Sequence, residues 1–213
     1  MSGPVRPRGA RTATPKAAGE RPDQRRRVLL AAVDAFAERG AEGVRLKDIS
    51  ERVGMSPGHI LYYFGRKDRV LLETLRWSET ELAEHRRSEL ARYRSPWRAI
   101  QRFVDLYLPV SAADPRWNLW AQVSAQPPGD VDGQRQVADL EQGWIADLSG
   151  WVAHGVECGD FGALEASEVG AFALRWVLLM NGIAEQVRLG VPGHNARWAR
   201  RYTLAGMASE LSS

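Results

Sequence analysis

Ser56, Pro57, Gly58, His59, Tyr62, Tyr63 and Lys67 fall within one short stretch of the chain. Together they can hydrogen-bond and neutralise charge, which is the chemistry of holding a polyanion. Ser56 offers a hydroxyl donor, and His59 an imidazole that can meet a base edge or a phosphate. Tyr62 and Tyr63 carry hydroxyls on rigid rings suited to phosphate contacts. Serine followed by proline is a helix start, with Ser56 as N-cap and Pro57 at the first helical position. The end of such a helix favours a phosphate, and its first residues reach base edges when it lies in a major groove. Gly58 permits close backbone approach. Lys67 opens the next helix, where a cation opposes the helix dipole unless a phosphate neutralises it.

These residues need a scaffold, and the preceding sequence supplies one. Val28, Leu29, Ala32, Ala35 and Phe36 make an apolar stripe at helical spacing. Arg39-Gly40 reads as the stop of that helix. A second short helix spans Leu46 to Val53, and Gly54-Met55 makes the turn into the helix opened by Ser56-Pro57. Gly65 closes this third helix, and a long fourth helix follows from Lys67. Two short helices joined by a tight glycine turn suit a DNA-reading head, although a plain three-helix packing unit would satisfy the same spacing.

The stretch from Arg25 to Leu75 includes AAVDAFAERG, DISERVGMS and SPGHILYYFGRKDRVL. In order and spacing these segments resemble the N-terminal domain of TetR-family transcriptional regulators. The resemblance covers about a quarter of the chain. It implies DNA contacts at the matched positions Lys47, Ser56, Pro57, His59, Tyr62, Tyr63 and Lys67. Arg45 stands where the family usually has a threonine that caps the second helix and touches a phosphate; arginine can still reach a phosphate, but the cap is lost. Leu61 stands where the family often has tyrosine, with Tyr62 as the nearest substitute. Further on, CGDFGAL, then MNGIAEQVRLG and a last helix, match the family's architecture only.

Beyond residue 68 no strand-like alternation appears. Helical spacing recurs near 68–92, 96–112, 115–126, 131–154, 166–189 and 195–210, with breaks at Ser95-Pro96, Asp114-Pro115, Pro127-Pro128-Gly129, Gly159 to Gly162 and Gly190 to Gly193. The expected fold is all-α with about nine helices: an N-terminal three-helix helix-turn-helix head and a larger helical body that binds a ligand and dimerises. The expected organisation is a flexible basic arm over 1–22, a DNA-binding domain over 23–70, and a ligand-binding and dimerisation domain over 71–213. The arm could follow phosphates or be inert.

Eight tryptophans are many for this length. In a helical bundle they serve as core, or they wall an apolar ligand site with a few polar handles. The candidates for such a site are Tyr107, Trp117, Trp120, Gln122, Trp151, Trp176, Met180 and Asn181. An aromatic cage could hold a cation, and the sequence leaves the charge preference of the effector open. The wide apolar face of 167–189, with 195–210, can pair with its own copy as a four-helix bundle across a two-fold axis. The family resemblance implies a homodimer through these segments, a palindromic double-stranded operator, and repression relieved by a small-molecule effector.

Bulk properties agree with this reading. Residues 1–70 carry a net +7 and residues 71–213 a net −4, so one end is suited to face a polyanion. The single cysteine, Cys158, rules out an internal disulfide. No apolar run reaches membrane-spanning length and no secretory h-region is present, so a cytoplasmic location is expected. His154 and Cys158 stand four residues apart, but two ligands do not make a zinc site. No phosphate-binding loop, nucleophile elbow or HExxH occurs. Neither a cofactor nor an enzymatic activity is therefore expected; the alternative to a DNA-binding regulator is a helical adaptor that binds protein partners.

Overall fold

In the computed structural model, which describes residues 16–162 and 164–212, every regular element is helical. The elements are α1 (Lys16–Gly43), α2 (Leu46–Val53), α3 (Pro57–Phe64), α4 (Lys67–Leu90), α5 (Pro96–Tyr107), α6 (Pro115–Ala125), α7 (Val131–Glu157), a 3-10 turn (Ala166–Glu168), α8 (Val169–Arg188) and α9 (Ala196–Leu211). Three of them start with the same device. Ser56, Ser95 and Asp114 each accept a hydrogen bond from a first-turn N–H, and a proline follows at the first helical position. Asp130 and Asn195 cap α7 and α9 in the same way.

Two features of α1 differ from the sequence reading. The expected arm over 1–22 lies outside the described residues up to position 15, but 16–22 are helical backbone, so α1 starts seven residues before Asp23. Lys16, Ala17, Ala18 and Glu20 are good helix formers that carry no apolar stripe, and the stripe was the only signal read there. The helix also passes Gly40 and ends at Gly43. A glycine costs a helix about 1 kcal/mol relative to alanine, which does not break one anchored by a packed face.

The described helices form two apolar clusters. In the first, Val28, Ala32 and Phe36 of α1 meet Ile49 and Val53 of α2, Ile60 and Phe64 of α3, and Val70, Leu71 and Leu75 of α4. Leu119 and Val123 of α6 belong to this cluster as well. The second joins α5, α7, α8 and α9 around Phe103, Trp144, Leu148, Phe172, Trp176, Met180 and Met207. Burying each such side chain is worth about 1.5–3 kcal/mol. Gly206 lets α9 close on α8, since a Cβ there would lie 2.3 Å from the Trp176 indole. The helix α4 runs past both clusters, and α6 gives residues to each: Leu119 and Val123 to the first, Trp117 to the second. Among the described residues, no helix is long and apolar enough to cross a membrane.

Candidate nucleic-acid interface and ligand cavity

The helix α3 is fixed at both ends. Gly54, at φ 68° and ψ 32°, takes the left-handed conformation that glycine adopts without strain and reverses the chain after α2. Met55 N–H then donates to Ser50 O at 2.9 Å, closing the end of α2. Ser56 Oγ accepts from His59 N–H at 3.2 Å. Ile60 and Phe64 are buried in the first cluster, so the opposite side of α3 points away from the body. Ser56, Pro57, Gly58, His59, Leu61 and Tyr62 are all exposed, Tyr62 at 73%.

Arg45 provides no side-chain cap for α2, as its chemistry requires. The structure replaces half of the lost function: Asp48 accepts the Arg45 backbone N–H at 2.7 Å and is itself held by Arg39 at 2.7 Å. The backbone N–H of Arg45, with Arg39 beside it, holds the Asp48 carboxyl below its ordinary range. The Arg45 side chain is thereby left on the exposed surface, next to Lys47, whose ammonium pairs loosely with Glu51 at 3.6 Å. Lys67 opens α4 and is partly buried. One expected contact residue has a partner within the head. Tyr63 turns towards α1, donates its hydroxyl proton to Gln24 Oε1 at 2.7 Å and stacks on His59.

The second site is a cavity of about 580 Å³ between α5, α6, α7 and α8. Four of the sequence candidates line it: Tyr107, Trp117, Trp120 and Asn181. Tyr107 donates its phenol proton to Asn181 Oδ1, and Asn181 Nδ2 donates to Glu141 Oε1 at 3.1 Å. Burial holds the Tyr107 phenol well above its usual range, with Arg116 opposing the shift, so it stays a neutral donor.

Behind the wall, Glu79 of α4 is buried, with 3% of its side chain exposed. It accepts the indole N–H groups of Trp120 at 2.6 Å and Trp144 at 2.8 Å, and it pairs with Arg116 at 3.3 Å. Arg116 also donates to Tyr107 O, which Trp117 Nε1 reaches at 2.9 Å. One carboxylate thus orients two cavity-wall tryptophans and an arginine.

The other four ligand candidates lie elsewhere, because helix rotation separates neighbours in sequence. On α6, Gln122 turns away from the cavity and donates to Phe36 O of α1 at 3.0 Å. On α8, Trp176 and Met180 face the second apolar cluster, with Trp176 seated on Gly206, while Asn181, Glu185 and Arg188 share the cavity side at i, i+4 and i+7. Trp151 packs beside His154 in a separate shallow hollow on α7. Cys158 Sγ sits 3.6 Å from His154 Nδ1, and among the described residues no group of three potential ligands is placed to hold a metal. The sequence reading missed Arg116, Glu141, Trp144, Glu185 and Arg188. The i, i+3 pair Glu141 and Trp144 is a signal that could have found part of this set.

Comparison with known proteins agrees with this architecture. Residues 28–74 match the family described as bacterial regulatory proteins, tetR family. The HTH-type transcriptional regulator BetI of Brucella anthropi is 30% identical over 86 residues, 40% of this chain and 44% of that protein. The chain therefore spans less than half the length of this relative. A transcriptional regulator from Saccharomonospora viridis, solved in complex with choline, superposes with a TM-score of 0.78 at 25% identity, covering 88% of this chain and 96% of that one. A TetR transcription regulator from Haloarcula marismortui gives a TM-score of 0.74 over 90% of this chain and 97% of its own, at 14% identity, which speaks for the fold alone. Over residues 28–74 the head of this chain is thus similar to the tetR family of bacterial regulatory proteins, and the chain as a whole shares the fold of the S. viridis and H. marismortui regulators.

Proposed function

We propose that this protein is a ligand-responsive transcriptional regulator that acts in the cytoplasm. As a homodimer it lays two copies of α3 into successive major grooves of a palindromic operator, and it lets go when a small molecule fills the cavity. The observation that carries this reading is the end of α3. Ser56 to His59 and Tyr62 project from a helix whose other side is anchored in the first apolar cluster. Arg45, Lys47 and Lys67 flank it as phosphate contacts. The S. viridis regulator, built on the same fold, was solved with a small organic molecule, which supports a sensory role for the body.

The second copy has a surface to meet. Leu174, Leu178 and Leu179 of α8 are about half exposed, and Tyr202 of α9 is 60% exposed. Pairing α8 and α9 across a two-fold axis would cover this apolar face. Coupling runs through α6. That helix presents Trp117 and Trp120 to the cavity, while Leu119, Val123 and Gln122 hold α1 of the head. A ligand that binds better to one position of α6 favours the matching position of the head, by no more than its difference in affinity between the two.

Selection from a pool of random duplexes with the purified protein tests the reading. Two enriched half-sites in inverted repeat, centred about one helical turn or a small multiple apart, are expected. A pool that stays unenriched at low salt contradicts it.

A further inference from the structure

The charges around the cavity do not cancel. Arg116 has Glu79 as its counter-ion at 3.3 Å. Arg188 has Glu185, whose carboxylate accepts its guanidinium at 2.7 and 2.5 Å. Beneath the Trp144 ring, Arg86 has Asp147 at 2.6 Å. Glu141 accepts one hydrogen bond, from Asn181, and among the described residues no cation pairs with it. With the groups behind the lining included, four carboxylates (Glu79, Glu141, Asp147, Glu185) face three cations (Arg86, Arg116, Arg188), and the one left over is Glu141, on a partly buried surface. A charge withdrawn from water without a partner is costly, and a bound cation would remove that cost.

The walls favour the same sign. The Tyr107 ring meets Trp144 edge to face at 4.8 Å and Trp117 at 5.7 Å. The Arg116 guanidinium lies 5.1 Å from both indole centroids and 5.7 Å from the phenol. This aromatic cluster already accommodates one positive group, as the ring quadrupoles would have it. Glu79 matches that group's charge, so Arg116 adds little net repulsion for a second cation. An anion, in contrast, would face Glu141 and would have to draw Arg116 or Arg188 from its own carboxylate. At about 580 Å³ the space also exceeds what a bare ammonium fills and falls in the range of drug-sized ligands.

We propose that the cavity binds an organic monocation, a substituted ammonium carrying an apolar or aromatic body, with Glu141 as its counter-charge and Tyr107, Trp120 and Trp144 around the body. This deepens the regulator reading and rests on it for its biological meaning, but binding itself can be measured without DNA. The full chain is titrated, by calorimetry and by tryptophan fluorescence, with benzyltrimethylammonium, its neutral carbon isostere neopentylbenzene, and phenylacetate. The cation should bind at least about tenfold more tightly than either of the others. In Glu141→Gln, which keeps the acceptor for Asn181, the cation should lose about tenfold or more while the isostere is unchanged; Glu141→Asp should restore most of the loss. The proposal is overturned if the cation does not bind, if the isostere or phenylacetate binds as well, or if Glu141→Gln binds the cation like the parent. Charge-selective binding by a protein that enriches no duplex would uphold this site and sink the regulator reading, so the two failures are distinguishable.

Discussion

His59 and Glu79 show two ways in which one side chain can matter. His59 sits in the first turn of α3, exposed, with its backbone N–H bonded to Ser56 Oγ and its ring stacked on Tyr63. Under the proposed function its imidazole edge meets a base, so His59→Ala should relax preference at one position of each half-site, at a cost of about 1–3 kcal/mol there. Repeating the duplex selection with the variant checks this; an unchanged consensus would take His59 out of the groove. Glu79 contributes from the interior. Removing it strands Arg116 and leaves two indole N–H groups without their acceptor. Glu79→Ala should therefore destabilise the fold by about 3–5 kcal/mol in urea unfolding, whereas an exposed ion pair such as Lys47 with Glu51 should matter little. Nothing in the sequence marks Glu79 as different from its neighbours on α4. Its role arises because α6 and α7 bring Trp120 and Trp144 to it from 41 and 65 residues away.

Among the elements, local chemistry made most boundaries legible. Ser56-Pro57, Ser95-Pro96 and Asp114-Pro115 each name a helix start by themselves, because the cap oxygen and the missing proline N–H act within one turn. The head was legible for the same reason: the stripe of α1, the Gly54 turn and the capped α3 are all short-range features. The start of α1 was not, since helix propensity without an apolar stripe carried the backbone back to Lys16. Nor was the cavity face of α8. Its apolar surface is wide, and the sequence does not say which part of it turns to α9 and which to α6 and α7. Hence Trp176 and Met180 serve the core, while Asn181, Glu185 and Arg188 line the space. The exposed part of the same helix makes a sharper statement. Leu178, at 52% exposure and free of the two clusters, can take a charge without harm to a monomer. Leu178→Glu should leave the helical content unchanged and shift the protein from dimer to monomer in analytical ultracentrifugation. A dimer that survives the substitution would place the partner elsewhere.

At the scale of the molecule, head and body are not independent. The helix α4 passes both apolar clusters, and α6 completes the first while walling the cavity. A ligand beside Trp117 and Trp120 is therefore one helix away from the residues that hold α1, and the head can respond to it without a long chain of intermediates. All of this has meaning for transcription only if α3 enters a duplex, and that can be measured at one atom. Gly58 is exposed, and a Cβ there would meet nothing within 4 Å. In a Cys158→Ser background, Gly58→Cys can carry an iron–EDTA tether on the duplex recovered by selection. Strand cleavage should be confined to two short windows, one inside each half-site, and should fade as salt is raised. Cleavage no stronger than that of untethered reagent, or spread evenly along the duplex, would contradict the account.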